Sequence, residues 1–327
     1  MEALPYELLE DIFILAFTDG GRTACSVSLV SRRMRHLSSR YRFHSVALRS
    51  RTLQIASFLA TFALARARYR EAGPVLRHLY IASPATSSYH WFSRYVHDPD
   101  GWPHFGTAFV GHALALLALV ASELTTLVLV QCPSELLDPI GRTGFPNLQE
   151  LTVVGGRELV VATHGEVIAV HAPEPLYPRL VRLNLISPVV LFCHWSTHAP
   201  HVTHLRLSGS ARQDYIDEDI RNVLLRNLRA GDLPSIFPDL ERFVVQTYHI
   251  PRSFQSLRNP RSSPALARFI EVELTQMQED GQHGFELPPT STFQSVEELE
   301  STTHRDWVDR VGGGAGWWTG DGHELSC

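Results

Sequence analysis

Apolar residues in the first forty positions recur at the spacing of an amphipathic helix. The first helix is predicted to begin at Leu4, with Pro5 in its first turn, and to end at the glycines at 20–21. Two neighbouring faces of it carry apolar side chains: Leu8, Ile12 and Leu15 on one, Leu9, Phe13 and Ala16 on the other. A stripe this wide is more than a small helical unit covers by itself. The pattern therefore predicts that this helix docks on another surface.

Two shorter helices are predicted next, over residues 22–29 and 32–41. Ser31 stands where a side chain can cap the third helix. Met34 and Leu37 face inward on that helix, while its arginines face solvent. Residues 1–48 are therefore expected to form a helical domain of three short helices.

The middle of the chain carries a different pattern, with apolar residues at positions 1, 4 and 6 of a unit that recurs at irregular intervals. The units begin at Leu76, Leu124, Leu148, Leu180, Val202 and Leu240, and a proline stands two residues before five of them. Position 4 is expected to begin a short strand, and position 1 to pack beneath the turn that enters it. Stacked units of this kind form a curved parallel sheet. The alternative is an ordinary α/β domain with leucine-rich strands.

Outside these units, Phe109–Ala121 is an apolar run too short to span a membrane, and it is predicted to be a buried helix. Residues 251–264 are expected to form an exposed loop, Ala265–Glu279 a capping helix, and 280–304 a polar, mobile segment. The fold class is therefore α/β. The predicted units are a helical domain at 1–48, an irregular repeat domain at 49–278 and a tail at 279–327.

The amino-acid composition and net charge exclude some classes of function. The chain has 327 residues, 44% of them hydrophobic, so it can bury a sizeable core. A net charge of -5 argues against nucleic-acid binding. The first helix carries acidic residues and no basic leader precedes it, so no secretory signal is expected. The four cysteines are widely separated, which favours a reduced cytoplasmic or nuclear compartment. All 29 basic residues are arginine.

Two groups of residues could indicate a metal site or a phosphate-binding loop. Cys193, His194, His198, His201 and His204 are dense enough to suggest a zinc site. Pro200 interrupts any helix there, however, and His204 is predicted on the outer side of a strand, so exposed histidines are preferred to a metalloprotein. The glycines of 312–316 lack the spacing of a phosphate-binding loop and are predicted to turn Trp317 and Trp318 against the repeats. No catalytic residue and no cofactor is expected.

The N-terminal pattern resembles the F-box. The motif LPxE, a leucine-rich stretch and IF, followed by LVSRR, is matched at Leu4–Phe13 and Leu29–Arg33. The tail, with Arg305, Asp306, Trp307 and the two final tryptophans, is similar to that of fungal F-box proteins with a degenerate leucine-rich-repeat region. This resemblance implies a substrate-recognition subunit of an SCF-type ubiquitin ligase. The alternative is a repeat scaffold that binds proteins outside any ligase.

The resemblance also implies partners and sites. The F-box would dock on a Skp-type adaptor and, through it, join cullin and RING subunits; neither nucleic acid nor a membrane is expected. The residues expected at the adaptor are Leu4, Pro5, Leu8, Leu9, Ile12, Phe13, Val30 and Met34. The repeat domain would hold an unknown target protein on its outward-pointing strand residues. The candidates are Arg182, Asn184, His204, Arg206 and Arg242, together with Val128, Thr152 and Val244.

Overall fold

A parallel β-sheet with helices on both faces forms the centre of the fold, which confirms the predicted α/β class. The computed structural model describes residues 4–49, 52–68, 73–83, 105–154, 175–186, 198–210, 237–249, 275, 285–286, 291–292 and 296–318. Within these residues, the strands are β1 (Ser45–Arg49), β2 (His78–Ala82), β3 (Thr126–Val130), β4 (Glu150–Val154), β5 (Arg182–Ile186), β6 (His204–Ser210), β7 (Arg242–His249), β8 (Phe285–Glu286) and β9 (Ser291–Thr292). Strands β1–β7 lie in chain order, and the short β8 and β9 both pair with β7. Every pairing is parallel.

Strands β2–β7 begin one residue before position 4 of each predicted unit, so the leucine pattern located them. The position-1 residues of the first five units are fully buried. Before several of them the chain turns at a proline: Leu148, Leu180 and Leu240 each donate a backbone hydrogen bond to an aromatic residue three positions earlier, at 3.2, 3.1 and 3.1 Å. Proline favours the second position of such a turn because its φ angle is already fixed. The strands therefore enter the sheet in one repeated geometry.

Strand β1 was not predicted, and it changes the expected division of the chain. It pairs with β2 over its whole length, from Ser45 opposite His78 to Arg49 opposite Ala82. The predicted boundary at residue 48 therefore falls inside a strand of the sheet. Gly20 ties the helical region to this strand, because its carbonyl accepts the Ala47 N–H at 3.2 Å. A side chain at Gly20, whose φ is +76°, would meet the Ala47 Cβ at 2.9 Å.

Three helices precede β1: α1 (Tyr6–Ala16), α2 (Arg22–Val30) and α3 (Arg32–Leu37). Asp19 starts α2, since its carboxylate accepts the Thr23 N–H at 2.9 Å and the Thr23 hydroxyl at 2.6 Å. Ser31 caps α3 as predicted, its Oγ accepting the Met34 N–H at 3.1 Å. The third helix ends four residues earlier than expected. The buried core of the three helices is Leu9, Phe13, Phe17 and Ala24.

One face of the sheet is covered by α4 (Thr52–Arg68), α5 (Phe105–Val120) and α6 (Ser134–Ile140). The apolar run around Phe109 is a buried helix, as predicted, although it begins earlier. Helices α4 and α6 were not predicted. The inward residues of the strands pack against these helices in the main core, whose members include Leu79, Leu127, Leu151, Leu183 and Leu205. Of the helices in the described ranges, none combines the length and the apolar character needed to cross a membrane.

The opposite face of the sheet is covered by α7 (Val296–Val311) and a 3-10 helix (Gly316–Trp318). This corrects the prediction that residues 280–304 are mobile, because α7 begins at Val296. Trp307 is buried against Tyr80, their ring centroids 5.5 Å apart. Trp317 and Trp318 are also buried, which confirms that the glycines turn them against the sheet. The predicted loop at 251–264 and helix at 265–279 lie outside the described residues, apart from Thr275.

Gly316 is the position on which the final turn depends. Its φ is +52°, and a Cβ there would meet the Arg310 Cγ at 2.4 Å and the Asp306 carbonyl oxygen at 2.8 Å. We therefore expect Gly316→Ala to lift Trp317 and Trp318 from the sheet while α7 stays in place. Their indole fluorescence should shift to longer wavelength and become accessible to acrylamide. Gly144→Ala is the matched control, since nothing lies within 4 Å of a Cβ there. Equal quenching in both variants would contradict the assignment.

Three histidines near the β1–β2 edge make stability depend on pH. Burial lowers the pKa of His78 from 6.5 to about 3, and that of His44 and His304 to about 4, with nearby arginines adding to the effect. The unfolded chain therefore binds protons that the native state excludes, and stability is lost as pH falls from 6.5 towards 4. For His78 the loss at pH 5.5 is about 1 kcal/mol.

Denaturant unfolding at pH 7.5 and pH 5.5 tests this dependence. The difference in free energy of unfolding should be smaller in His78→Gln, which keeps a polar partner for Thr126 Oγ1, 3.1 Å from His78 Nδ1. His36→Gln changes an exposed ring on α3 and should keep the wild-type difference. An unchanged pH dependence in His78→Gln would be inconsistent with a neutral, buried His78.

Candidate protein-binding surfaces

Helix α1 and Leu4, two residues before its start, expose a line of large apolar side chains. Leu4, Leu8, Ile12 and Leu15 recur at helical spacing and are 43%, 49%, 47% and 76% exposed. We call these four residues the α1 stripe. Leu29 and Val30 at the end of α2 are also exposed. Large apolar side chains arranged in a line on a helix are typical of a groove-binding surface, whereas single exposed leucines are ordinary.

The other face of α1 holds the three-helix core together. Leu9 and Phe13, both expected at the adaptor, are buried instead, and the Phe13 ring stacks on Phe17 with centroids 5.3 Å apart. Met34 is half-buried and packs against the same cluster. Pro5 is exposed. The residues expected at the adaptor therefore divide between an accessible set, Leu4, Pro5, Leu8, Ile12 and Val30, and a supporting set, Leu9, Phe13 and Met34.

Charged residues flank these apolar positions. Glu7 and Asp11 are exposed on α1, and Arg32 and Arg33 are exposed at the start of α3. The Arg35 guanidinium donates from Nε to the Ser28 carbonyl at 2.9 Å, which satisfies a backbone acceptor near the end of α2. A partner that binds the α1 stripe would thus meet acidic groups on α1 and basic groups at the α2–α3 junction.

The strand residues expected to hold a target lie on the sheet face that α7 and the 3-10 helix cover. Asn184 and Arg206 are buried, and Arg182, His204 and Arg242 are half-buried. Val128, Thr152 and Val244 are buried as well. The expectation that these outward positions face solvent is therefore corrected, and Arg206, Arg242 and His204 contact the C-terminal Trp317 and Trp318.

Polar contacts fix this covering layer at Glu150 of β4. The buried Glu150 carboxylate accepts the Arg310 guanidinium at 3.0 and 3.2 Å, and Trp318 Nε1 at 3.4 Å. Arg206 donates to the Trp317 carbonyl and Arg242 to the Trp318 carbonyl. The sheet therefore binds the backbone of the last turn as well as its indole rings.

Neighbouring cations surround His204 on this face. Burial and the charges of Arg182, Arg242 and Arg310 lower the pKa of His204, although Glu241 opposes them. The His204 ring packs edge-on against Trp318, with centroids 5.5 Å apart. The imidazole is therefore neutral at physiological pH and acts as a packing group.

Of the five residues of the predicted zinc cluster, the structure describes His198, His201 and His204. His201 Nδ1 lies 2.9 Å from Asp239 Oδ2, a surface pair, and His204 is held by Thr203 and Trp318. Cys193 and His194 lie outside the described residues. In the part of the chain that is described, no group of three or more histidine, cysteine or acidic residues could hold a metal ion.

Models of known protein families, curated protein sequences and solved structures were compared with the chain, and none of them matches it.

Because α1 has one buried and one exposed apolar face, substitutions at two adjacent residues are expected to change stability by very different amounts. Phe13→Asp places a charge in the helical core, and we expect it to destabilise that region by more than about 3 kcal/mol. Ile12→Asp places the same charge on the exposed stripe and should change stability by less than about 0.5 kcal/mol. Hydrogen exchange of α1–α3 amides measures both. Similar protection in the two variants would contradict this division.

Proposed function

We propose that this protein is a substrate-recognition subunit of an SCF-type ubiquitin ligase, without catalytic residues of its own. Its N-terminal helices would bind a Skp-type adaptor and, through it, the cullin and RING subunits. The domain built on the parallel sheet would hold a target protein. Catalysis would come from the partners, and this chain would contribute proximity between the target and the ubiquitin-carrying enzyme.

The α1 stripe is the observation that carries the proposal. Its four apolar side chains are accessible although the same helix has a second apolar face in the core. A helix that lays an apolar line into a groove of its partner needs this arrangement, with anchors separated by three or four residues. Three of its four residues, Leu4, Leu8 and Ile12, belong to the motif through which the chain resembles the F-box.

The sheet domain supports the second half of the proposal. Strands β1–β7 form a continuous parallel ladder, and such a ladder holds loops and side chains in fixed relative positions. Arrays of stacked strand units, as in leucine-rich repeats, commonly bind proteins over an extended surface. We propose that the units described here are a divergent form of that architecture.

Co-purification with a recombinant Skp-type adaptor tests the adaptor contact. The wild-type chain should retain the adaptor through a gel-filtration step, and Ile12→Asp should lower the affinity at least tenfold because it buries a charge in the apolar groove. Leu53→Asp is the matched control: Leu53 is 82% exposed on α4, away from the α1 stripe, and its variant should bind as wild type does.

Two outcomes would count against the proposal. Equal binding by Ile12→Asp and wild type would remove the α1 stripe from the interface. Absence of any complex with the folded wild-type chain would reject the adaptor role and favour a protein-binding scaffold that works outside a ligase.

A further inference from the structure

The sheet face beneath the C-terminal residues has an apolar part and a polar part. Under α7 six outward residues of β2–β5 form an apolar cluster, Tyr80, Ala82, Val128, Val130, Val154 and Ile186, whereas Glu150 and Thr152 of β4 are polar and buried. Towards β7, Val244 is apolar, but four outward residues are polar although they are buried: Asn184, Arg206, Ser208 and Gln246. We call these four residues the polar patch. We call residues 312–318, whose Trp317 contacts Arg206 of this patch, the tail segment. A layer that served packing alone would be expected to cover apolar side chains throughout.

Arg206 is a buried cation whose partners are all neutral. It is 8% exposed, and its guanidinium donates to the Trp317 carbonyl, the Gln246 side-chain oxygen and, at 3.3 Å, the Ser208 hydroxyl. Its neighbours on the same face differ: Arg242 makes a two-bond pair with Glu286 at 2.8 and 2.6 Å, and Arg310 pairs with Glu150. A buried charge without an opposite charge is costly, so Arg206 is prepared for an anion that the described residues do not supply.

Asn184 stands directly beside Arg206 in the strand register and is 1% exposed. Neither its amide nitrogen nor its carbonyl oxygen has a hydrogen-bond partner among the described residues. An unsatisfied buried amide is rare and destabilises the free protein. The two side chains thus place an unused donor and an uncompensated cation next to each other.

We propose that the polar patch binds an acidic group that stands next to an aromatic residue in a target peptide, and that the tail segment occupies this site in the free protein. This rests on the proposed function for the identity of the peptide as a target. A carboxylate would receive charge-assisted hydrogen bonds from Arg206 in place of the bond that Arg206 donates to the uncharged Trp317 carbonyl. Its neighbouring aromatic ring would take the place of Trp317.

The tail segment is tied to α7 as well as to the sheet, because Asp309 Oδ2 accepts the Gly316 N–H at 2.8 Å and Arg310 donates to the Gly314 carbonyl at 2.6 Å. Gly313 and Gly316 have φ angles of +92° and +52°, so the chain reverses between α7 and the two tryptophans. Trp307, which packs on Tyr80 at the apolar part of the face, lies before this reversal. Displacement of the tail segment would break these two bonds and remove Trp317 from the apolar cluster, in which Leu299 and Trp307 of α7 would remain.

Fluorescence anisotropy with labelled hexapeptides tests the site in the full-length chain. The probe has Glu-Trp at its centre and an amidated end; one comparison peptide has Gln-Trp with an amidated end, and another has Gln-Trp with a free terminal carboxylate. Gly316→Ala, which opens the site, should bind the Glu-Trp probe at least tenfold more tightly than wild type and than Gly144→Ala. The third peptide shows whether a terminal carboxylate replaces the side chain.

Two variants in the Gly316→Ala background separate recognition from folding. Arg206→Gln should lose the preference for Glu-Trp over Gln-Trp. Asn184→Leu should abolish binding and yet raise the melting temperature, because it removes an unsatisfied amide. Equal binding of the Glu-Trp and amidated Gln-Trp probes would overturn the proposal, as would unchanged selectivity in Arg206→Gln or full binding by Asn184→Leu. Adaptor co-purification of the same variants is independent, so failure here leaves the adaptor role intact.

Discussion

Trp307 of α7 packs against Tyr80 on a face of the sheet that helices α4–α6 cannot reach, and the parallel sheet depends on this contact. Parallel strands are normally buried on both faces, because a free face would expose alternate apolar residues along every strand. Here β3 carries apolar residues on both faces of the sheet, with Leu127 and Leu129 on one face and Val128 and Val130 on the other. The second layer is therefore a requirement of the strand sequences, and residues 296–318 supply it.

The strands could be predicted from the sequence with good accuracy, because the leucines at positions 1, 4 and 6 report the inner face directly. The burial of the outer face was not predicted, because the pattern concerns only the strand residues that point inward. It says nothing about the alternate residues, which point to the other face. The apolar residues at the outer positions, such as Tyr80 and Val154, were the available sign of a covering layer. The polar composition of α7 concealed its role, since only Leu299, Trp307, Val308 and Val311 on this helix join the apolar cluster with the sheet.

At the N-terminus, the sequence predicted the wide apolar surface of α1 but could not divide it. Leu8 and Leu9 have equal hydrophobicity, and which one is buried depends on where α2 and α3 pack. The stacked pair Phe13 and Phe17 sets that rotation, leaving Ile12 on the outside. Strand β1 was missed because it is a single short run without the preceding proline turn. Its pairing with β2 and its contact with Gly20 join the helical unit to the sheet.

The order of synthesis gives the covering layer a further consequence. Strands β1–β7 leave the ribosome well before residues 296–318, so the apolar part of the second face stays uncovered while the rest of the chain is being made. A nascent chain in that state exposes a row of apolar side chains on adjacent strands, which is an aggregation hazard. The protein is therefore expected to require chaperone protection until its last helix emerges, and chains shortened before Trp307 should accumulate in inclusion bodies.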